Sequence, residues 1–313
     1  MSNPDAVIVE NLWASYGTFK AVRGISFCIP KGEVFGFIGP NGAGKSTTIR
    51  ILATLKAPSY GSALIEGLSV TRDTKHVRKK IGYVPDFFGT YEDLTTQDYL
   101  EFFAAAYQVA VKDRDHVIGD ALELVGLSSK SGVNVESLSR GMKQRLSIAR
   151  VLLHDPAVLL LDEPASGLDP RARIEMRELL KGLKDMGKTI LISSHILHEL
   201  AHLCTRIGIV DKGRMVVEGS LDDIFRQLGV HQNVQVHICN LTEGMVGHIR
   251  SIKGVEDVEV QDERLDIQIE AKVLSAEDLL DEIHKVGAKI RLFHPEGMDM
   301  EQVFMRLTTG LIS

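Results

Sequence analysis

The chain has 313 residues, 44% of them hydrophobic, with 36 lysines and arginines against 42 aspartates and glutamates and a formal net charge of −6. That length holds about two domains, and the apolar fraction is enough for a substantial core. The charge balance excludes a globally basic surface that would hold nucleic acid by neutralising its phosphates. Cys28, Cys204 and Cys239 are too few and too scattered for a disulfide framework or a cysteine metal cluster, and read as buried free thiols in a reducing compartment. Residues 1–10 lack the basic segment and apolar core of a signal peptide. No apolar run approaches the ~18 residues of a spanning helix, so the chain is expected to work beside a membrane at most.

Residues 7–12 and 25–29 alternate as strands, and residues 34–38 form an almost continuous apolar run, the pattern of a buried strand. A glycine-rich loop leads from there into a helix over 46–55. From 95 to about 153 helical spacing dominates, with Leu100, Phe103, Ala104 and Tyr107 on one stripe and Leu146, Ala149 and Leu153 on another. Asp155-Pro156 stops the last of these helices. Residues 158–161 read as a second buried strand, 171–186 as a helix, and 189–193 and 207–210 as further strands. Such alternation predicts an α/β domain over residues 1–228, a mostly parallel sheet covered on both faces and interrupted by a helical subdomain at about 92–154.

Beyond residue 228 the order changes. Strand 233–238, helix 242–251, strands 255–260 and 265–270, helix 276–286 and strand 289–293 follow the β-α-β-β-α-β order of a small ferredoxin-like α+β domain over 229–313, closed by a helix at 300–307. His231, His237, His248, His284 and His294 in this part have no tight ligand spacing and read as solvated or packing side chains. Support of a dimer, or regulation of its closure, is the expected role of the domain.

Two motifs carry chemistry. Gly39-Pro40-Asn41-Gly42-Ala43-Gly44-Lys45-Ser46 matches the phosphate-loop pattern, between a buried strand and a helix. Its glycines let consecutive backbone N–H groups turn inward on phosphate oxygens, and the helix start adds partial positive charge. Lys45 is placed to reach the β- and γ-phosphates and Ser46 to set its hydroxyl on Mg²⁺. The apolar run 157–161 ends in Asp162-Glu163. Strand C-termini of a parallel sheet face the ligand crevice, so Asp162 is expected to hold Mg²⁺ and Glu163 to orient and deprotonate the attacking water.

Further segments bring a family into view. Leu138-Ser139-Arg140-Gly141-Met142-Lys143-Gln144-Arg145 resembles the signature segment of ABC transporter ATPases, and Ser166-Gly167-Leu168-Asp169 resembles their D-loop. Ser194-His195 is similar to their switch histidine, and Tyr16 to the aromatic that stacks on adenine. These stand in family order over about residues 7–220. The carboxyl-terminal part, ending in Met300-Glu301-Gln302-Val303-Phe304-Met305-Arg306-Leu307, resembles the accessory domain of cassettes that drive multidrug, lipid or polysaccharide exporters.

The resemblance implies a P-loop ATPase domain of the ABC type with a helical subdomain. It implies ATP and Mg²⁺ as ligands, with Tyr16 at the base and Gly39, Asn41, Gly42, Gly44, Lys45, Ser46 and Thr47 around the phosphates. It further implies that two cassettes close head to tail over two ATP molecules. Ser139 and Gly141 of one chain would then touch the γ-phosphate held by Lys45 of the other, Asp169 would lie at the junction, and His195 would contact the γ-phosphate. One phosphate loop and one signature per chain call for a second copy or a homologous cassette, and a separate multispanning permease at the cytoplasmic face of the membrane completes the assembly. No nucleic acid is expected among the partners. By themselves, a serine before a helix is most often an N-cap and a lone histidine after a strand most often structural.

Three positions depart from the family pattern. Arg140 and Met142 replace the commoner glycine and glutamine of the signature, while Asp86 in Tyr83-Val84-Pro85-Asp86 replaces the Q-loop glutamine. Asp86 cannot donate an amide hydrogen bond and repels phosphate unless Mg²⁺ or water intervenes, so it is expected to alter Mg²⁺ and water coordination. Residues 86–97 and the helices after them are the expected contact with the membrane protein, where Phe87, Phe88 and Tyr91 offer either an interface anchor or subdomain packing. Two other functions compete with transport. One is a soluble ABC ATPase acting on ribosomes or DNA, which would more often carry two cassettes or long coiled-coil arms; the other is an ATP-binding switch with little turnover, against which Glu163 and His195 argue.

Overall fold

The computed structural model describes residues 5–87, 89, 93–196, 203–220, 223–224, 231–270 and 273–295, and the chain divides into two compact units, Met1–Glu218 and Gly219–Ser313. Phe88, Tyr91 and the helix expected over 300–307 lie outside the described residues.

The first unit opens with a hairpin of two 12-residue strands, β1 (Asp5–Tyr16) and β2 (Phe19–Pro30). Each is longer than its apolar stretch predicts, because alternation fades at the exposed end where Tyr16 pairs with Phe19. After β3 (Val34–Ile38) and α1 (Lys45–Leu52), strands β4 (Tyr60–Ile65) and β5 (Leu68–Ser69) extend the hairpin into an antiparallel sheet of order β2-β1-β4-β5. The expected mostly parallel sheet is present as a second sheet, and this antiparallel one, which takes the strands read at 7–12 and 25–29, stands in addition to it. Residues 60–69 carry Gly61, Ser62, Gly67 and Ser69, a polar interruption that hides their strand character.

The second sheet contains β3, β6 (Ile81–Val84), β7 (Val158–Leu161), β8 (Thr189–Ser194), β9 (Arg206–Asp211) and β10 (Arg214–Gly219), in the order β10-β9-β3-β8-β7-β6. Strands β9, β3, β8, β7 and β6 pair in parallel, and every residue of β3, β7 and β8 is buried. That two-sided burial is why these strands read as unbroken apolar runs. Phe27 of the antiparallel sheet stacks on Phe35 at 5.1 Å and tilts on Phe37 at 5.5 Å, which locks the two sheets across one core with Val7, Ile29, Ile49 and Leu160.

Helix α2 (Thr74–Lys80) precedes β6, and the helical subdomain follows as α3 (Thr96–Ala106), α4 (Val111–Leu124) and α5 (Arg140–Leu152). Thr95 and Asp98 close a capping box at the start of α3. Helix α6 (Pro170–Asp185) returns the chain to β8. Together these place the C-terminal ends of β3, β8 and β7 side by side, β3 followed by the glycine-rich loop, β8 by His195 and β7 by Asp162.

The second unit contains β11 (His231–Ile238), α7 (Glu243–Ser251), β12 (Val255–Gln261), β13 (Arg264–Glu270), α8 (Ala276–Lys285) and β14 (Ile290–Pro295). Its antiparallel sheet has the order β12-β13-β11-β14, the ferredoxin-like arrangement. Val234, Val236, Ile238, Leu265, Ile267 and Ile269 bury one face beneath Ile249 of α7 and Leu279 and Ile283 of α8. Cys239, expected among the buried thiols, is exposed, while Cys28 and Cys204 are half-buried.

Candidate functional site

The loop between β3 and α1 turns tightly because it must. Gly44 has φ +105°, and a Cβ there would stand 2.6 Å from the carbonyl oxygen of Ala21, so a side chain is excluded by both backbone and neighbour. Lys45, the first residue of α1, is only 4% exposed. Its Nζ donates to the carbonyls of Gly39 at 2.7 Å and Pro40 at 3.2 Å, and pairs with Glu163 Oε1 at 3.2 Å. The ammonium is thus held over the loop, with acceptors that an entering phosphate can replace. Asn41 and Gly42 are exposed at the loop tip, and Thr47 is half-buried behind Ser46.

The two acids after β7 occupy different environments although they are adjacent. Asp162 is 2% exposed, and its Oδ1 accepts from Ser46 Oγ at 3.0 Å and Ser193 Oγ at 2.8 Å. Burial pushes its carboxyl pKa up, and the charges of Glu163 and Asp86 add to that, while the Ser193 and Ser46 hydroxyls oppose it. A buried carboxylate and a serine hydroxyl within hydrogen-bond distance form an oxygen set that fits a hard divalent cation. Binding of such a cation would favour the ionised carboxylate.

Glu163 has φ +50°, a left-handed conformation that is strained for glutamate by roughly 1–3 kcal/mol. Four contacts hold it. Its amide donates to Ser193 Oγ at 2.9 Å, its carbonyl accepts from Ser166 N at 3.0 Å, Oε1 meets Lys45, and Oε2 lies 2.7 Å from His195 Nδ1. Glu163 also lines a hollow together with Pro164, Ser166, Ser194 and His195. Glu163 can therefore accept a proton beside the lysine, with the histidine fixing its second oxygen.

Ser193 is the residue that sequence reasoning did not single out. It is fully buried at the end of β8 and serves both acids, donating to Asp162 and accepting from the Glu163 amide. The trace it leaves in the sequence is a pair of hydroxyls ending the apolar run of Thr189–Ser194.

Other predicted residues lie around this cluster. Asp86 is exposed two residues beyond β6, near enough for its charge to act on Asp162. Tyr16 is 47% exposed at the end of β1, with Lys56 Nζ 4.1 Å from its ring centroid. Interaction with the Tyr83 hydroxyl, and more weakly with that of Tyr16, raises the pKa of Arg50 on α1.

Ser139, Gly141 and Asp169 form a separate group at the starts of α5 and α6. Ser139 Oγ accepts from Met142 N at 3.3 Å, and Asp169 Oδ1 accepts from Ala172 N at 2.9 Å, so each caps its own helix. A Cβ at Gly141 would lie 2.8 Å from that of Ala172, which makes glycine the condition for the two helix starts to touch. The Arg140 guanidinium lies against Gly167, so this side chain is turned onto the neighbouring loop of its own chain.

Comparison with known proteins identifies the family of the chain. The ABC transporter family matches residues 22–166. The linearmycin resistance ATP-binding protein LnrL of Bacillus subtilis (strain 168) is 35% identical over 303 residues, 96% of this chain and 97% of that protein. The Nod factor export ATP-binding protein I of Paraburkholderia xenovorans (strain LB400) is 34% identical, over 97% and 98% of the two chains. Among solved structures, an ATP-binding subunit of an ABC transporter superposes with a TM-score of 0.65 at 32% identity, over 72% of this chain and 93% of that one. A dimeric bacterial ABC transporter cassette gives 0.63 at 27% identity, over 69% and 98%.

Proposed function

The chain belongs to the ABC transporter family as an ATP-binding, ATP-hydrolysing subunit, and from that premise we propose that it powers an exporter by closing head to tail with a second copy beneath a separate membrane permease. The observation that carries the reading is the single network joining Lys45, Glu163 and His195 to Ser46, Asp162 and Ser193 at the ends of β3, β7 and β8. Relatives whose names refer to Nod factor export and linearmycin resistance support the outward direction. Among the described residues no helix is long and apolar enough to cross a membrane, which fits a peripheral subunit at the cytoplasmic face.

In this mechanism the loop amides and Lys45 bind the β- and γ-phosphates, and the adenine stacks on Tyr16. Gly39, Asn41, Gly42 and Gly44 shape the loop, and Thr47 adds a hydroxyl at the start of α1. Ser46 and Asp162 would hold Mg²⁺, with Asp86 acting on it directly or through water. The ion neutralises charge on the phosphoryl oxygens when bound. Glu163 orients the attacking water and takes its proton, and His195 keeps the carboxylate aligned while facing the γ-phosphate. Ser139 and Gly141 of the second copy complete the site, with Asp169 at the junction. Residues 1–228 are assigned to this ATP-binding domain, and 229–313 to an accessory domain that supports the dimer or regulates its closure.

The test is an ATP-trapped pull-down. Tagged Glu163→Gln protein is expressed in its native cell, solubilised with ATP and Mg²⁺, and its co-purifying proteins are identified by mass spectrometry. A multispanning membrane protein in comparable amount is the expected result. Reproducible recovery of only ribosomal or DNA-bound partners would overturn transport and leave the ATPase intact.

A further inference from the structure

Among the described residues β6 is the last strand of its sheet, and its backbone shows which carbonyls that sheet leaves over. Those of Lys80 and Val84 accept from the amides of Ala157 and Asp162 on the β7 side. Carbonyls of alternate residues point to opposite edges, so those of Ile81 and Tyr83 face outward. An unpaired edge next to packed helices needs partners. Arg150 in the last turn of α5 and His154 just beyond that helix supply them. Arg150 Nη2 donates to the Tyr83 carbonyl at 3.3 Å, and His154 Nε2 lies 2.9 Å from the Ile81 carbonyl. A carbonyl only accepts, so His154 carries its proton on Nε2.

Both side chains also engage α3. Arg150 Nη1 donates to Tyr99 Oη at 3.4 Å, and its guanidinium carbon lies 5.1 Å from the Phe103 ring centroid. The His154 ring stands 4.2 Å from that of Tyr107. Tyr99, Phe103 and Tyr107 recur every four residues, matching the four-residue step from Arg150 to His154. Phe103 and Tyr107, which read in the sequence as part of an ordinary core stripe, thus join Tyr99 in a socket for two nitrogen side chains. Only Val84 and Pro85 separate Tyr83 from Asp86, whose charge acts on Asp162.

We propose that Arg150 and His154 are positioning residues that couple the phosphate site to the helical subdomain, with Arg150 passing movement of the Tyr83–Asp86 backbone to α3. The inference rests on the ATP-hydrolysis reading above and adds the route by which the site moves the subdomain. Arg150 has the larger part, because its planar fork reaches a carbonyl, a hydroxyl and an aromatic face at once.

The experiment uses the full chain with its three cysteines replaced and spin labels at Glu123→Cys on α4 and Asp185→Cys at the end of α6. The label separation is measured by pulsed electron resonance with and without ATP and Mg²⁺, in the Glu163→Gln background; turnover is measured with Glu163 intact. The parent is expected to change its separation on binding ATP. Arg150→Gln is expected to bind ATP within about twofold of the parent, to lose the nucleotide-dependent change, and to show a kcat lower by roughly 2- to 30-fold at little-altered KM. Arg150→Lys recovers part of both, and Phe103→Leu, which keeps the apolar contact, weakens the response. These two variants decide the matter if Arg150→Gln does not fold.

Variants that fold, bind ATP and move the labels as far as the parent overturn the coupling. So does a parent that hydrolyses ATP with no change in separation, and that outcome leaves the hydrolysis reading standing. A folded parent that neither binds nor hydrolyses ATP overturns that reading itself.

Discussion

Two edges of the first unit use similar side chains in opposite ways. Around the phosphate loop, Lys45, Ser46, Asp162, Glu163, Ser193 and His195 bond to one another, and Lys45, Asp162 and Ser193 are buried. At the starts of α5 and α6, Ser139 and Asp169 are exposed, and each caps only its own helix. The first edge is preorganised within one chain, so its donors and acceptors need little rearrangement to meet phosphate. The second presents two helix starts outward, locked together by the contact at Gly141, in the form suited to a ligand carried by another chain.

The difference can be broken or sharpened by mutation. The largest effect is expected at Glu163→Gln, which keeps the shape and removes the base. Phosphate release should fall about 10²- to 10⁴-fold, with ATP binding retained in a filter or calorimetric assay. Turnover near that of the parent would remove Glu163 from the base role.

Next comes a mixing experiment across the two edges. Lys45→Ala and Ser139→Ala should each be nearly inactive alone. Mixed in equal amounts, they should regain about a quarter of parental turnover, because half of the dimers then contain one intact site of two. Lack of recovery, with heterodimers shown by mass, would mean that each edge serves only its own chain.

Ser193→Ala asks how far the first edge depends on its hidden support. It removes a donor to buried Asp162 and the acceptor for the Glu163 amide, and should cost about 1–3 kcal/mol in denaturant unfolding together with a measurable loss of turnover. An unchanged midpoint would show that the serine is dispensable.

The smallest effect is expected on stability, at His154. Burial lowers the pKa of His154 from its ordinary 6.5, against the opposing Ile81 carbonyl bond. The folded protein therefore resists protonation that the unfolded chain accepts, and stability is lost as pH falls below about 6.5. His154→Gln should flatten the fall in Tm between pH 7 and pH 5. An identical Tm profile would show that this histidine does not titrate differently on folding.

Legibility in the sequence differed along the chain for physical reasons. The phosphate loop could be read because glycine, lysine and serine must stand at fixed offsets when consecutive amides surround an anion. Asp162-Glu163 could be read because a strand buried on both faces is uniformly apolar, so its end is abrupt. The antiparallel sheet was harder to see, since β4 and β5 carry glycines and serines and owe their pairing to β1. Phe103 and Tyr107 were visible on a helical stripe, but neither they nor Tyr99 as the partners of Arg150 and His154.

The sequence by itself determined the local chemistry of this protein: the phosphate loop, the two acids, the cap at Ser139 and the order of elements in the second unit. These depend on neighbours a few residues apart and are therefore written in spacing. Only the tertiary structure decided that Ser193 supports both acids from 31 and 30 residues away, that Arg140 turns onto Gly167, and that α5 caps the free edge of β6. Such contacts are made between segments distant in the chain. Their geometry is set by how sheets and helices pack, which no local pattern records.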